Sequence, residues 1–270
     1  MTVARPSKVI VIAAGRGKRL GPHTEERPKC LVEVGGRSIL DWQLRALCAV
    51  GVDDVLMIRG YRAEELSAGA EALHPGARFV DNPEWETNNI LLSLAYALDE
   101  LDGPVYLTYS DIIFTPAVTR ALADAEGDAC LVIDRLFRDI YVGRTEHPLE
   151  EGEVSDLMPD GSVARVGKKA LPPADAIGEY IGLMKLSAEG ARWLRDEIVA
   201  AKARYAGREN EPYQRAARFR NAYLTDALQA LIDAGRPFMP VAIDGQWREI
   251  DTGQDLESAR LLVESSRDWT

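Results

Sequence analysis

Apolar runs and helically spaced apolar positions alternate along the first half of the chain. Residues 8–14 are almost continuously apolar and rich in β-branched side chains (Val9, Ile10, Val11, Ile12), the pattern of a central parallel strand covered on both faces. Shorter runs at 55–58, 79–81 and 105–109 repeat the signal. Between them, Ser38 and Asp41 read as a capping box that opens a helix closing at Gly51. Ile90, Leu91, Leu94, Ala95 and Leu98 fall at helical spacing within 88–98. This rhythm predicts an α/β fold, a mainly parallel sheet flanked by helices, and it holds to about residue 134. Beyond it, the Pro159-Asp160-Gly161 turn between β-prone stretches predicts an antiparallel excursion through about residue 185, followed by helices over 188–206 and 223–234. Residues 206–220 are charged and aperiodic and read as a mobile connection; a last strand over 247–251 leads to a helix near Asp255. No repeat or linker divides the chain. The expectation is one domain over 1–270, with a core at 1–134, an excursion at 135–235 and a return through 236–265.

Composition narrows the function. The chain has 270 residues, 46% of them hydrophobic, enough for one sizeable core. A net charge of −11 argues against nucleic acid or an anionic membrane as a general partner. No apolar run approaches the roughly 20 residues of a spanning helix, and residues 1–7 lack the apolar stretch of a signal peptide, so a cytoplasmic protein is expected. Cys30, Cys48 and Cys130 show no ligand or disulfide spacing and read as reduced thiols.

Against that acidity, Arg16, Lys18, Arg19, Arg27 and Lys29 crowd the segment leaving the first strand. Gly15 and Gly17 let its backbone turn and present N–H groups to an anion. A plain strand-to-helix turn with a solvated basic face is one reading. A dinucleotide-binding loop is another, but Leu20 stands where the third glycine belongs and Pro22 and Pro28 forbid an immediate helix. A P-loop fails too, because Gly17-Lys18 is followed by Arg19 and lacks the preceding glycine. What remains is the whole spaced pattern A-A-G-x-G-x-R-L-x-P-x-T-x-x-x-P-K-x-L-x-x-V over 13–34.

That pattern resembles the signature of nucleotidyltransferases that activate sugar phosphates, phosphocholine and related phosphoryl compounds, with His23 at a position that family commonly gives to Leu. The resemblance implies a Rossmann-like nucleotidyltransferase fold in which Ala13, Ala14, Gly15 and Gly17 wrap a triphosphate while Arg19 and Lys29 hold its phosphates during transfer. Magnesium wants hard oxygen ligands beside those phosphates. Asp111 follows the 105–109 strand at its carboxyl end, and Asp251 ends the 247–251 strand; either alone could cap a turn or helix. Residues 109–113 and 249–256 resemble the family's two metal-binding segments, which implies a Mg²⁺ site on Asp111 and Asp251. His23, His74 and His147 have neither metal nor triad spacing and read as structural or solvated.

The implied reaction is attack of an acceptor phosphate or phosphonate oxygen on the α-phosphorus of a nucleoside triphosphate, releasing pyrophosphate. A phosphate monoester is mostly dianionic at neutral pH and needs no strong base. Residues 81–94 resemble the Asn-Asn…Ser-Leu element of small-substrate cytidylyltransferases, which puts Asn89 and Ser93 against the base or ribose, helix capping by Asn89 being the alternative. Residues 163–169, 178–183 and 226–233 resemble cytidylyltransferases associated with phosphoenolpyruvate mutase in phosphonate biosynthesis. By that likeness Lys168 would grip the acceptor's phosphonate, with a solvated turn as the alternative, and Glu179 and Tyr180 would meet a cationic amine. A choline cage wants several convergent aromatics, and Trp85, Tyr141 and Tyr180 are the candidates, so 2-aminoethylphosphonate or a hydroxyalkylphosphonate is preferred over phosphocholine. The implied partners are CTP and that acceptor, with a homodimer left open. Two other readings stand: a hexose-1-phosphate uridylyl- or thymidylyltransferase, and a non-catalytic nucleotide-binding regulatory subunit, against which the joint presence of Arg19, Lys29, Asp111 and Asp251 argues.

Overall fold

The computed structural model describes residues 5–266 and Trp269. Nine strands form the main sheet: β1 (Lys8–Ile12), β2 (Asp54–Arg59), β3 (Arg78–Asp81), β4 (Val105–Tyr109), β5 (Ala129–Asp134), β6 (Glu153–Leu157), β7 (Val163–Lys168), β8 (Gly178–Leu186) and β9 (Met239–Ile243). Their order is β7-β6-β8-β4-β1-β2-β3, with β5 joining β8 on one side and β9 on the other. The four strands β4-β1-β2-β3 are parallel throughout, as the βαβ rhythm predicts, and β5 pairs β9 in parallel. The excursion supplies the antiparallel part: β6 with β7, and β8 against β4, β5 and β6.

Strand alternation assigns the two faces of β1 to two cores. Val9 and Val11 pack with Leu40, Leu44, Val118 and Leu122, from the helices Ile39–Cys48 and Pro116–Asp124. Ile10 and Ile12 pack with Leu91, Leu94, Leu194 and Leu228, from helices Ile90–Leu94, Ala188–Tyr205 and Leu224–Asp233. The helices following β1 and β3 therefore lie on opposite faces, and the cleft beyond the carboxyl ends of β1 and β4 is the place where such a sheet binds ligands. Among the described residues no helix is long and apolar enough to cross a membrane.

Two sequence expectations are corrected. The helix expected over 88–98 ends at Leu94 and continues as a 3₁₀ segment, Ala95–Glu100, broken at Ala97; Leu91, Leu94 and Ala97 sit three residues apart, a spacing that fits either helix type. The supposed mobile connection over 206–220 is a folded strap. Tyr213 and Ala216 exchange backbone hydrogen bonds, and the buried Phe219 stacks on Tyr205 at 4.8 Å and meets Tyr213 edge-on at 5.3 Å. Its aromatics anchor without a period, so periodicity could not find them.

Candidate active site

Gly17 sits at φ 67°, a left-handed conformation that favours glycine, and a Cβ there would lie 2.8 Å from Cδ of Lys29. Its lack of a side chain is what lets Lys29 pass beneath the loop. Thr24 Oγ1 donates to Gly17 O at 3.0 Å and closes the loop on itself. The N–H groups of Gly15, Arg16 and Gly17 take no backbone or side-chain partner among the described residues, as an anion-binding concavity requires.

Asp111 and Asp251, 140 positions apart, are brought together by a short antiparallel ribbon, Ile112–Phe114 against Trp247–Glu249. Ile250 N donates to Asp111 O at 2.8 Å, and buried Gln43 donates from Nε2 to the carbonyls of Tyr109 and Ile112, both at 2.7 Å. Between the carboxylates lies Lys29, 6% exposed: Nζ donates to Asp111 Oδ2 at 2.9 Å and to Asp251 Oδ1. Arg19 takes the other Asp251 oxygen. Burial would raise the Asp251 carboxyl, but Lys29, a hydrogen bond from His147 and Arg19 outweigh it and hold it well below the usual carboxylate range. Burial likewise disfavours the Lys29 ammonium, and Asp111 and Asp251 overcome it and raise its pKa. Asp111 Oδ1 is buried without a partner. Two hard-oxygen donors sharing one cation, one of them with a free oxygen, are a donor set that would suit a magnesium ion.

Two cavities meet at Asp111. One, of about 180 Å³, is lined by Ala14, Gly15, Gly17, Lys29, Trp85 and Ser93 among others, the residues that the sequence resemblance implies for the nucleotide together with their neighbours. Ala13 is buried, its N–H on Ile58 O, so it supports the loop from the strand. Asn82, which sequence reasoning passed over, organises this wall: its amide donates to Asn88 Oδ1 and Ser93 Oγ, both at 2.9 Å. Asn89 does not cap the helix with its side chain; it donates to Asn221 O at 3.0 Å, pinning the strap, and lines both cavities.

The second cavity, about 250 Å³, is bounded by Arg19, Asp111 and Asp251 at one end and reaches Glu153, Lys168, Glu179 and Tyr180. Gly182, at φ 84°, permits it, because a Cβ there would sit 2.3 Å from the Tyr109 ring. That ring's hydroxyl donates to Glu153 Oε2 at 3.0 Å, and Thr225 donates to Glu153 Oε1 at 2.9 Å. Glu179 is 4% exposed; Oε1 accepts from Tyr141 at 2.7 Å, while Oε2 is buried with no partner. Burial, then the charge of Glu249, pushes its carboxyl up to about 8, and burial pushes Glu153 up to about 7 against Lys168, Thr225 and Tyr109. Lys168 donates to Glu151 at 3.1 Å and lies 4.8 Å over the Tyr223 ring.

The aromatic inventory differs from the expectation. Trp85 lines the 180 Å³ cavity, edge-on to Tyr61 at 5.4 Å, and Tyr141 donates to Glu179. Tyr109, Tyr180, Tyr223 and Trp247 line the 250 Å³ cavity instead, so the shortage of aromatics that weighed against choline is not found. Of the histidines read as structural or solvated, one lies at the site. His147 is buried at the site, Nδ1 lying 3.3 Å from Asp251 Oδ2 and 3.5 Å from Glu249, and these three offer ligand atoms within 4.8 Å of one another. Arg144, three residues earlier, donates to Glu249 at 2.7 Å and to Asp255 at 2.6 and 3.0 Å, and Asp255 in turn accepts from Asp251 N at 3.0 Å. A charged residue in an apparent loop, spaced by nothing, gave no signal for this network.

This architecture is shared. The chain is 22% identical to the structure of the CTP:phosphocholine cytidylyltransferase from Streptococcus pneumoniae, with a TM-score of 0.71 over 95% of this chain and 98% of that one. In sequence it is 30% identical over 254 residues to the CTP:phosphoglutamine cytidylyltransferase of Campylobacter jejuni, covering 92% of this chain and 97% of the relative. It is 35% identical over 159 residues to the CMP-5'-(3-aminopropyl)phosphonate synthase of Streptomyces rubellomurinus, 58% of this chain but 25% of that protein. The MobA-like NTP transferase domain matches residues 9–160, and the chain belongs to that family.

Proposed function

We propose that the protein transfers CMP from CTP to a small phosphonate or phosphate ester bearing an amine, releasing pyrophosphate. The acceptor's anionic oxygen attacks the α-phosphorus as the bond to the bridging oxygen of the β-phosphate breaks in line, and the electron pair leaves with pyrophosphate. Bringing two polyanions together is the obstacle, so positioning and charge compensation dominate. The free N–H groups of the Gly15–Gly17 turn hold the triphosphate, and Lys29 and Arg19 exchange their carboxylates for phosphate oxygens as substrates enter. Asp111 and Asp251 would hold Mg²⁺, which supplies further neutralisation of the triphosphate. Asn89 and Ser93 take the base or ribose side, while Lys168, Glu179 and Tyr180 take the acceptor.

The observation that carries the amine is Glu179: a nearly buried carboxylate, one oxygen without a partner, in the cavity that ends at Asp111 and Asp251. Its carboxyl stays protonated up to about 8, and an ammonium beside it would favour the ionised form, whose free oxygen then takes an N–H donor that a primary ammonium has and choline lacks. The four aromatic rings support phosphocholine as a second reading, through cation–π contact. Pyrophosphate release tests both, with CTP, UTP and dTTP each paired with 2-aminoethylphosphonate, 2-hydroxyethylphosphonate, phosphocholine and glucose-1-phosphate. CTP with the aminophosphonate should be the best pair. UTP or dTTP equalling CTP would refute the cytidylyl reading, and a faster hexose phosphate would refute the acceptor class.

A further inference from the structure

We infer that Asn82 is the residue through which the site tells cytosine from uracil. It is a positioning residue that leaves the Ser93 hydroxyl as a fixed hydrogen-bond donor and the Asn88 side-chain oxygen as a fixed acceptor, the pair that reads the base. This deepens the function proposed above and rests on it, because it concerns how an enzyme using CTP would refuse UTP.

The direction of every bond in this group follows from one that cannot be reversed. A backbone N–H only donates. The N–H of Glu84 meets the Asn82 side chain at 3.0 Å, so the atom it meets is the amide oxygen, which settles the two ends of that amide. The NH₂ group then faces Asn88 Oδ1 and Ser93 Oγ, both at 2.9 Å. Asn88 returns a bond from Nδ2 to Asn82 Oδ1 at 3.1 Å, and this orients its own amide. An amide nitrogen carries two hydrogens, and both of Asn82's are spent. Ser93 Oγ therefore accepts from Asn82, and its own hydrogen, which has no acceptor among the described residues, is left to give. Asn88 Oδ1 keeps its second lone pair.

Placement turns this polarity into a reading device. Asn82 is 1% exposed and stands behind the wall of the 180 Å³ cavity, whereas Asn88 and Ser93 line that cavity with Ala14, Gly15 and Trp85. An asparagine that only shaped the turn would need the bond from Glu84 and nothing more. Cytosine presents an amino donor at N4 beside acceptors at N3 and O2, while uracil presents a carbonyl at O4 beside a donor at N3. One fixed donor next to one fixed acceptor suits the first edge. Against uracil the Ser93 hydrogen would face N3–H and Asn88 Oδ1 would face O4. A hydroxyl free to rotate would serve either base, and Asn82 removes that freedom.

Asn82→Asp tests the inference because it keeps the shape and replaces the NH₂ group by an oxygen that only accepts. Ser93 should then donate to residue 82 and turn a lone pair toward the base. The readout is the ratio of kcat/KM for CTP to that for UTP with 2-aminoethylphosphonate as acceptor, since an added charge or a loosened loop lowers both alike. In the wild type the ratio should be about tenfold or more, and Asn82→Asp should lower it by about fivefold to a hundredfold, the range for a buried polar group facing the wrong partner. Ser93→Ala removes the donor without adding a charge, and it should lower the ratio mainly through slower use of CTP. Melting temperatures report whether each variant folds, and Ser93→Ala decides alone if the charge at position 82 prevents folding. A ratio unmoved in either folded variant would overturn this inference while leaving the proposed function standing. UTP used as well as CTP by the wild type would refute the cytidylyl function itself.

Discussion

Lys29→Met isolates the contact on which the site is built. The methionine keeps the length and apolar stem of the lysine but removes the ammonium, leaving Asp111 and Asp251 facing each other without it. Breaking one side of a buried ion pair typically costs ~3–5 kcal/mol. A value just below that range, about 2–3 kcal/mol, applies here, because Asp251 keeps Arg19 and His147 and the Asp111 side chain is 26% exposed. For a chain of this length that is a fall of about 4–8 °C in melting temperature. The sharper expectation concerns magnesium. In the wild type the ammonium occupies oxygens that a metal proposed for this site would need, so Mg²⁺ without nucleotide should shift melting little. In the variant those oxygens are open, and metal at a hundred times its dissociation constant should return about 2.7 kcal/mol. Calorimetric melting of both proteins with Mg²⁺ and after chelation decides it, with turnover lowered by ~10²–10³-fold as the control for catalysis. A variant melting within about 2 °C of the wild type, or the same metal response in both, would refute the idea that Lys29 holds the metal's place.

Asp111→Asn and Asp251→Asn should each cripple turnover with the fold intact, and the double variant should lose little beyond the worse single one, because groups acting as a unit are non-additive; fully multiplicative losses in kcat would separate them. Arg144→Met should raise the Mg²⁺ concentration for half-maximal activity about tenfold or more, the scale of lost support for metal ligands, with KM for CTP little changed; a CTP effect alone would make Arg144 a nucleotide contact. Glu179 is protonated in the folded protein up to about 8 but ionises near 4.3 when unfolded, so its share of stability declines as pH rises across that window. KM for an amine-bearing acceptor should fall about fiftyfold from pH 6 to pH 8 in the wild type, as the carboxylate forms, and Glu179→Gln should flatten both the stability slope and that profile; an unchanged KM profile in the variant would move the titration to another group.

What the sequence made legible was whatever depends on neighbours in the chain. The run at Val9–Ile12, the Gly15 and Gly17 turn and the aspartates closing the 105–109 and 247–251 segments each carry their signal within a few residues, and the structure places them where strand and turn chemistry would. The 206–220 strap and the broken 88–98 helix were misjudged for the opposite reason. Tyr205, Tyr213 and Phe219 hold the strap through ring contacts that obey no period, and apolar spacing of three cannot separate an α-helix from a 3₁₀ turn.

The acceptor cavity shows where local reading ends. Its walls come from the loop after β1, the start of the Ile90–Leu94 helix, the turn after β4, β6, β7 and β8, Tyr223 at the head of the Leu224–Asp233 helix and the Trp247–Glu249 ribbon, so segments from Arg19 to Asp251 must fold before the cavity exists. Tyr141, Arg144 and His147 make the point most clearly. They fall three residues apart in a stretch that forms no helix and carries no apolar pattern, yet touch Glu179, Glu249 and Asp251 in turn. Tyr141 fixes Glu179, the carboxylate proposed for the acceptor, while Arg144, through Asp255, and His147 fix Asp251, the one proposed for the metal. A single loop thus touches both halves of the proposed site. A substitution at Arg144 that loosens the loop should be felt at Glu179 as well, which makes the acceptor's amine and the metal's carboxylate partners in one network although neither touches the other.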